Sequence, residues 1–287
     1  QISQYDMPFA KNGFLEIRNP KSEIRKIRIQ RVHLEEDTGR LIHPSGADYS
    51  LVDFNRAGVP LMELVTEPDI TSAKEASAFA QELQLILRYL GASDADMEKG
   101  QMRVEVNISL LPQIHPVIRQ GAPSHDGANP KQLGTKVEIK NLNSFRVVEQ
   151  AIEYEIKRQA EVLESGEKVI QETRGWNENK GQTFSQREKE SAHDYRYFPE
   201  PDLPPFRFSR KEIESLKAQL PELPQQRRKR FLNEYGLLEK EVEVLVRNKD
   251  IGEYFEKVVS ELGPRLEHER LKKLTKLSAN YILSDLM

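Results

Sequence analysis

Cysteine is absent from the 287 residues of this sequence. Its absence excludes disulfide bonds, a cysteine nucleophile and cysteine-ligated metal sites within the chain, and it fits a reducing compartment. No apolar run reaches the length of about 18 residues that a membrane-spanning helix needs. The first ten residues have neither the basic region nor the apolar region of a signal peptide. Charged residues make up 31% of the chain, which indicates a globular protein with a large polar surface.

An excess of positive charge is also lacking, since the formal net charge is −3. A surface that binds nucleic acid must then be a local patch. Common nucleotide-binding and hydrolase motifs are missing too: there is no P-loop, no dinucleotide glycine fingerprint after a strand, no His-Glu-x-x-His and no Gly-x-Ser-x-Gly. A nucleotide, if the protein binds one, is held without the common phosphate-binding loops.

Both ends of the chain have the character of internal segments. The sequence starts at Gln1 rather than Met, and its last residues continue a helical pattern to Met287 with no Gly or Asn stop. We interpret the chain as a fragment of a longer protein. A trimmed chain with frayed ends is the alternative interpretation.

The patterns predict an α+β fold: a mixed-sheet domain over residues 1–206, followed by an all-α domain over 207–287. Asn12-Gly13 is typical of a hairpin turn, and a change of phase near Val32 predicts a bulge or a second strand. Ser72 and Gly91 predict the two ends of a helix. Further predictions are strands at 102–110 and 135–140, a loop or insertion at 112–133, a helix at 144–163, a Pro-rich stretch at 198–205 and helices through 209–287.

Glu63 is the single acid in the apolar run 60–65. A carboxylate that leaves water costs several kcal/mol unless it is paired or binds a metal ion. Glu63 therefore needs a partner, and the candidates are Arg56, a lysine or a cation. A structural salt bridge and a metal ligand both remain open.

Three adjacent acids end a strand-like segment before Gly39. Because strand side chains alternate, Glu35 and Asp37 point one way and Glu36 points the other, if the strand extends that far. An acidic turn exposed to solvent is the other interpretation.

Two amphipathic strands carry acids and amines on their polar faces. Oxygen ligands of this kind suit Mg²⁺, which takes one or two carboxylates together with water and substrate phosphates. Ordinary solvated strand faces explain the same pattern, and the six histidines are dispersed rather than paired at metal-ligand spacing. The polar set comprises Glu105, Asn107, Lys136, Glu138, Lys140 and Asn143.

A basic cluster, residues 227–230, follows Pro224 at the start of a predicted helix. The cluster could contact RNA phosphates or could form a solvated helix face. Both interpretations remain open at this point.

One long motif and several shorter ones follow one another along the chain. The long motif is residues 51–69, LVDFNRAGVPLMELVTEPD, and the shorter ones are 1–6 QISQYD, 33–37 HLEED, 140–145 KNLNSF, 171–174 QETR and 194–202 DYRYFPEPD. At this length and in this order, they closely resemble the GatB family, the B subunits of aspartyl/glutamyl-tRNA(Asn/Gln) amidotransferases.

The resemblance implies a cradle domain, a helical domain and a small tail domain. It also implies a carbon–nitrogen ligase reaction. In the implied reaction ATP, bound with Mg²⁺, transfers a phosphoryl group to the side-chain carboxylate of Glu-tRNA(Gln) or Asp-tRNA(Asn). Ammonia from the amidase, or A, subunit then displaces the phosphate to give the amide. The implied partners are the amidase subunit, the small C subunit of the heterotrimer and tRNA, and the implied location is the bacterial cytoplasm or a eukaryotic organelle. A non-catalytic tRNA-binding or scaffold protein of the same fold, acting through residues 227–230 and the helical domain, is the alternative.

The resemblance also implies roles for individual residues. Glu36 and Glu63 match the acidic ligands of the metal and ATP pocket. Glu105, Glu138 and Lys140 line the same face as further catalytic candidates, and the cofactor-binding candidates are Asn107, Lys136 and Asn143. Relatives carry a Gly-Leu-Glu-Val-His motif whose Glu and His help to hold Mg²⁺. We expect that motif, and the tail domain that grips tRNA, to lie outside this chain.

Overall fold

Mixed sheets followed by a run of helices confirm the predicted α+β class. The computed structural model describes residues 7–21, 23–110, 133–188, 206–262 and 267–285. The predicted loop at 112–133, apart from its last residue, and the Pro-rich stretch at 198–205 lie outside those ranges. The strands are β1 (Ala10–Arg18), β2 (Ile24–Glu36), β3 (Arg40–Ile42), β4 (Leu51–Asp53), β5 (Pro60–Thr66), β6 (Val104–Ile108), β7 (Val137–Leu142), β8 (Glu172–Asn177) and β9 (Gln182–Glu188); the helices are α1 (Ala73–Tyr89), α2 (Phe145–Glu164), α3 (Arg210–Ala218), α4 (Pro224–Tyr235), α5 (Glu239–Arg247), α6 (Lys249–Leu262) and α7 (His268–Asp285).

The chain divides into two compact units. One comprises Gln1–Gln81 and Met97–Phe206, and the other comprises Glu82–Asp96 and Arg207–Met287. The first unit contains the sheets, and the second contains helices α3 to α7 together with the last turns of α1. Among the helices in the described ranges, none has the length and apolarity to cross a membrane.

The first sheet is antiparallel and has the strand order β1-β2-β5. Leu15, Ile17 and Ile27 are buried, as the alternation of apolar residues predicts. The register of β2 against β5 shifts between Ile29 and Arg31. This irregularity confirms the bulge interpretation, because a single strand carries both phases of the apolar pattern.

The predicted turn at Asn12-Gly13 is wrong, because both residues lie inside β1. The hairpin between β1 and β2 turns instead at Asn19. Its side-chain oxygen accepts the backbone N–H groups of Lys21 and Glu23, each at 2.9 Å. An asparagine that bonds its own loop in this way forms a turn without glycine. Asn12 keeps the left-handed conformation that turn residues favour, with φ 58°, but within the strand.

Helix α1 begins and ends at the predicted signals. The Ser72 hydroxyl accepts the N–H of Glu75 at 3.3 Å, and Gly91 follows the helix with φ 65°. The Glu75 carboxylate accepts the N–H and the hydroxyl of Thr71, and it pairs with Arg25 at 2.6 Å. The start of α1 is thereby fastened to strand β2.

Asp69, the last residue of the long motif, binds the same strand. Its carboxylate accepts the backbone N–H of Arg28 at 2.9 Å and two guanidinium N–H groups at 2.9 and 2.6 Å. The hydrogen bonds from Arg28 outweigh partial burial and hold the pKa of Asp69 below its usual range. Asp69 therefore has a structural role: it joins the segment before α1 to β2.

A second sheet has the order β6-β7-β8-β9, with β7 and β8 parallel and connected through helix α2. The hydroxyl of Ser144 caps α2 by accepting the N–H of Val147 at 3.2 Å. The helix packs on one face of this sheet. The apolar core between them contains Ile139, Leu142, Val147, Val148, Ala151 and Ile152.

A buried ion network lies on the same helix-facing side of the sheet. Glu155 of α2 is fully buried. The single Nε–H of Arg158 is shared between the two Glu155 carboxylate oxygens, at 3.0 and 3.2 Å, and Nη2 donates to one of them at 2.6 Å. Gln159 and Thr183 donate to the same carboxylate at 3.0 and 3.1 Å, and Arg174 lies 3.6 Å away. Several donors thus satisfy one buried charge and connect α2 to β8 and β9.

The helical unit packs around an aromatic cluster. Phe231, Tyr235 and Phe255 have ring centroids 5.3 to 5.7 Å apart. The predicted start of α4 is confirmed, since Pro224 occupies the first turn, and Gly236 ends the helix with φ 61°. The buried core of the helical unit contains Leu85, Tyr89, Phe231, Leu237, Val242, Leu245, Val246, Phe255, Val259, Ala279 and Ile282.

Candidate active site

The face of the second sheet opposite α2 carries four of the six polar residues predicted from the sequence. Asn107 of β6 pairs with Glu138 of β7, and Glu138 pairs with Thr173 of β8. Since alternate residues share a face, Glu105 and Lys140 lie on this side too, whereas Val106 and Ile139 face the helix. We call this side, with Glu105, Asn107, Glu138, Lys140 and Thr173, the polar face.

Lys140 lies between two carboxylates on the polar face. Its Nζ is 3.2 Å from Glu105 Oε2 and 3.5 Å from Glu138 Oε1. Partial burial alone would lower the pKa of Lys140, but the two carboxylates outweigh it and raise that pKa. The Glu138 side chain is 12% exposed and that of Glu105 is 46% exposed. Of the two carboxylates that contact Lys140, that of Glu138 is therefore shielded and that of Glu105 is accessible to solvent. Lys140 therefore remains a cation at neutral pH.

The other two cofactor-binding candidates lie at the ends of β7. Lys136 is exposed and immediately precedes the strand. Asn143 is exposed and follows the strand, directly before the Ser144 cap of α2. The structure therefore brings Glu105, Glu138 and Lys140 into contact, and it places Lys136 and Asn143 just beyond the two ends of β7.

Glu36 and Glu63 occupy the first sheet, where β2 pairs with β5. Glu36 lies opposite Pro60, and Glu63 lies opposite His33. Because residues 33 and 36 point to opposite faces, this register places the two carboxylates on opposite faces of the sheet. The described ranges contain no cluster of three or more His, Asp or Glu residues able to hold a metal ion. The register therefore does not bring Glu36 and Glu63 together, and their expected role as Mg²⁺ ligands stays a prediction.

Arg56 does not pair with Glu63 in this structure. Glu63 is about half exposed, with Arg31 and His33 at 3.9 and 3.8 Å from its carboxylate. Arg56 instead donates to Asp37 at 2.7 Å. That hydrogen bond holds the pKa of Asp37 below its usual range. Arg56 thereby anchors the turn before β5 to the end of β2.

Glu35 shares the face of Glu63, and the site interpretation based on sequence omitted it. Burial raises the pKa of Glu35, and the negative charge of Glu63 raises it further. The alternation of residues 35–37 already indicated which way Glu35 points. The register of β5 against β2 was needed to show that Glu63 is its neighbour.

Thr173 is a second residue that the site interpretation missed. Its hydroxyl donates to Glu138 Oε2 at 2.9 Å, and the residue is buried. Thr173 belongs to the QETR motif at 171–174, which carried the resemblance but received no role.

The three arginines of the basic cluster at 227–230 form ion pairs within the helical unit. Arg227 is buried and pairs with Glu256 at 2.6 Å. Arg228 pairs with Glu82 at 2.7 Å and with Glu243 at 2.8 Å. Arg230 makes comparable contacts with Glu222 and Glu256. These ion pairs occupy the three arginines and leave Lys229 exposed, so they do not favour the alternative of a non-catalytic RNA-binding protein.

Comparison with known proteins supports the resemblance. A family model described as "GatB/GatE catalytic domain" matches residues 1–214. The chain is 50% identical over 288 residues to the B subunit of the aspartyl/glutamyl-tRNA(Asn/Gln) amidotransferase of Persephonella marina, covering 100% of this chain and 55% of that protein. The corresponding B subunits of Thermodesulfovibrio yellowstonii and Trichodesmium erythraeum are 52% and 45% identical, over 90% and 100% of this chain and 51% and 55% of their own lengths.

The chain thus spans about half the length of the curated relatives it matches. The family match covers the sheet-containing unit. It includes the pair β2 and β5 and the pair β6 and β7, which carry the candidate site residues. By these matches, the chain belongs to the GatB/GatE catalytic domain family.

Proposed function

We propose that the whole protein acts as the B subunit of a tRNA-dependent amidotransferase, a glutamine-hydrolysing carbon–nitrogen ligase. In this reaction ATP phosphorylates the side-chain carboxylate of Glu-tRNA(Gln) or Asp-tRNA(Asn). Ammonia, supplied from glutamine by the amidase subunit, then displaces the phosphate and leaves Gln-tRNA(Gln) or Asn-tRNA(Asn). The amidase and the small C subunit complete the proposed heterotrimer. The observation that carries the proposal is identity of 45 to 52% to proteins named as this subunit, over nine tenths or more of the chain.

Lys140 supplies the chemistry that this reaction needs on the polar face. A carboxylate is a poor acceptor for ammonia until it is activated, and phosphoryl transfer depends mainly on positioning and on neutralising negative charge. Lys140 stays protonated because its two carboxylate neighbours raise its pKa. Its role in the proposal is therefore electrostatic, toward phosphate oxygens, and not that of a general base.

The acids of the first sheet enter the proposal as separate candidates. Glu36 and Glu63 face opposite sides, so the described residues do not fit one Mg²⁺ ion held by both. We propose that Mg²⁺ accompanies ATP in the whole protein. A site that included Glu63 would complete its coordination with water, with substrate phosphates or with ligands from elsewhere in the whole protein, because Mg²⁺ takes only one or two carboxylates.

The test uses the full-length protein purified together with its amidase and small-subunit partners. Conversion of Glu-tRNA(Gln) to Gln-tRNA(Gln), and of Asp-tRNA(Asn) to Asn-tRNA(Asn), is measured with and without ATP and Mg²⁺. We expect ATP-dependent amide formation with at least one of the two tRNAs. A stable complex that hydrolyses glutamine but amidates neither tRNA would contradict the proposal.

The acidic candidates are then tested one at a time in the same complex. Glu36→Gln and Glu63→Gln remove one charge each with little change in shape. We expect each substitution to reduce amide formation while glutaminase activity stays at the wild-type level. Full amide formation by both variants would show that neither acid belongs to the site.

A further inference from the structure

Successive residues of the QETR motif on strand β8 lie on opposite faces of the sheet. Glu172 and Arg174 lie on the helix-facing side, where Arg174 approaches the buried Glu155 at 3.6 Å. Thr173 lies between them in sequence and faces the opposite way, directly beside Glu138 of the parallel strand β7. Thr173 thus reaches the polar face, and its two neighbours in the motif do not.

The Thr173 hydroxyl restrains one end of a chain of polar contacts. It donates to Glu138 Oε2 at 2.9 Å, and the other oxygen, Oε1, is 3.5 Å from Lys140 Nζ. Lys140 in turn is 3.2 Å from Glu105. Thr173 is only 4% exposed, so water is largely kept from this hydroxyl. With one carboxylate oxygen held by the threonine, the other is directed at the lysine.

We propose that Thr173 is a positioning residue for the amidotransferase reaction, which orients the Glu138 carboxylate and through it the ammonium group of Lys140. This inference rests on the proposed function, because Glu138 and Lys140 are candidates for that reaction. Thr173 makes no proposed contact with substrate. Displacement of Lys140 by about 1 Å is enough to slow a reaction that depends on placement of charge.

The test compares Thr173→Val with Thr173→Ser in the full-length complex. Valine keeps the shape of threonine but cannot donate to Glu138, whereas serine keeps the hydroxyl. We expect Thr173→Val to lower kcat for amide formation between about 10- and 100-fold, with little change in the KM for tRNA. Thr173→Ser should restore most of the rate, and glutaminase activity should stay unchanged in both variants.

Thr183 provides a matched control on the neighbouring strand β9. It is also a buried threonine that donates to a glutamate, at 3.1 Å to Glu155 Oε2, but it lies on the helix-facing side. We expect Thr183→Val to lower Tm while kcat of the folded complex remains at the wild-type level. A purely structural role for Thr173 would make the two valine variants alike.

A double variant separates an effect through Glu138 from a general loss of structure. If Thr173 acts through this carboxylate, adding Thr173→Val to Glu138→Gln lowers kcat no further than Glu138→Gln alone. Independent, multiplying losses would overturn the inference, and so would a wild-type kcat for Thr173→Val. If the wild-type complex itself forms no amide, the proposed function has failed, and that outcome is distinct from either result.

Discussion

Arg228 and Glu82 are separated by 146 residues in sequence, yet two N–H groups of the arginine donate to the two oxygens of this glutamate at 2.7 and 2.9 Å. Their side chains are only 14% and 11% exposed. The pairing joins the last turns of α1 to helix α4 within the helical unit. A basic cluster that resembles an RNA-binding patch in sequence is thus part of the internal structure of this unit.

Replacing Arg228 by alanine should destabilise the helical unit. The change leaves Glu82, whose side chain is 11% exposed, without its arginine, whereas Glu243 keeps Arg247 at 2.7 Å. We expect a loss of about 3 kcal/mol in the free energy of unfolding, measured by urea denaturation. Lys229→Ala, at an exposed neighbouring position, should change it by less than about 0.5 kcal/mol. Unchanged stability together with weaker tRNA binding by the Arg228 variant would instead support an RNA contact.

Asp69→Asn should make stability less dependent on acid pH. The pKa of Asp69 is lowered from the ordinary value of 3.8, so its stabilising contribution is present above that pH and is lost as the pH falls through the folded-state pKa. Because the carboxylate accepts three hydrogen bonds from Arg28, we expect the variant to lose about 1 to 2 kcal/mol at pH 7. Urea unfolding of both proteins at pH 7 and below pH 3.8 should show this difference shrinking in acid. A difference that stays constant or grows would contradict the assignment.

Glu155→Gln should destabilise the second sheet and its helix. The substitution leaves Arg158 and Arg174 near a neutral amide in a buried network, and we expect a loss of about 3 kcal/mol in urea denaturation. Glu161→Gln, on the same helix, has an exposed side chain that lies 3.8 Å from Lys157. That control should change stability by less than about 0.5 kcal/mol. Equal effects of the two substitutions would show that the buried network adds nothing.

Lys140→Met should slow amide formation and leave glutamine hydrolysis intact. Methionine retains most of the aliphatic stem but removes the positive charge, so we expect a loss of about 100-fold in kcat in the full-length complex. Lys157→Met on α2 is the control, because that side chain is 77% exposed and belongs to the helix on the other side of the sheet. An undiminished kcat for Lys140→Met would remove this residue from the proposed site.

Local signals in the sequence predicted the ends of several elements correctly. Ser72 marks the start of α1, because a cap needs only a side chain and a backbone group three residues away, and Pro224 marks the first turn of α4, where a helix does not need its N–H. Strand alternation likewise predicted that Glu105, Asn107, Glu138 and Lys140 share one face, since a face depends only on spacing within each strand.

Features that depend on a distant partner could not be predicted in the same way. The opposite orientations of Glu36 and Glu63 follow from the register of β2 against β5, which a bulge shifts. The partners of Arg228 come from other helices. The prediction of a turn at Asn12-Gly13 was wrong because the chain turns at Asn19, whose side chain hydrogen-bonds its own loop. Residue types alone do not show which of the two asparagines forms the turn.

The buried network around Glu155 also governs how β8 aligns with β7. A slip of one residue along β8 would turn Arg174 toward Glu138 and Lys140, and it would turn Thr173 toward the helix. Glu155 would then lose an arginine in a place where its charge has no access to water. The ion network under α2 therefore favours the observed register of β8 against β7. The arrangement of residues on the polar face thus depends on contacts made on the other side of the sheet, which the helix covers.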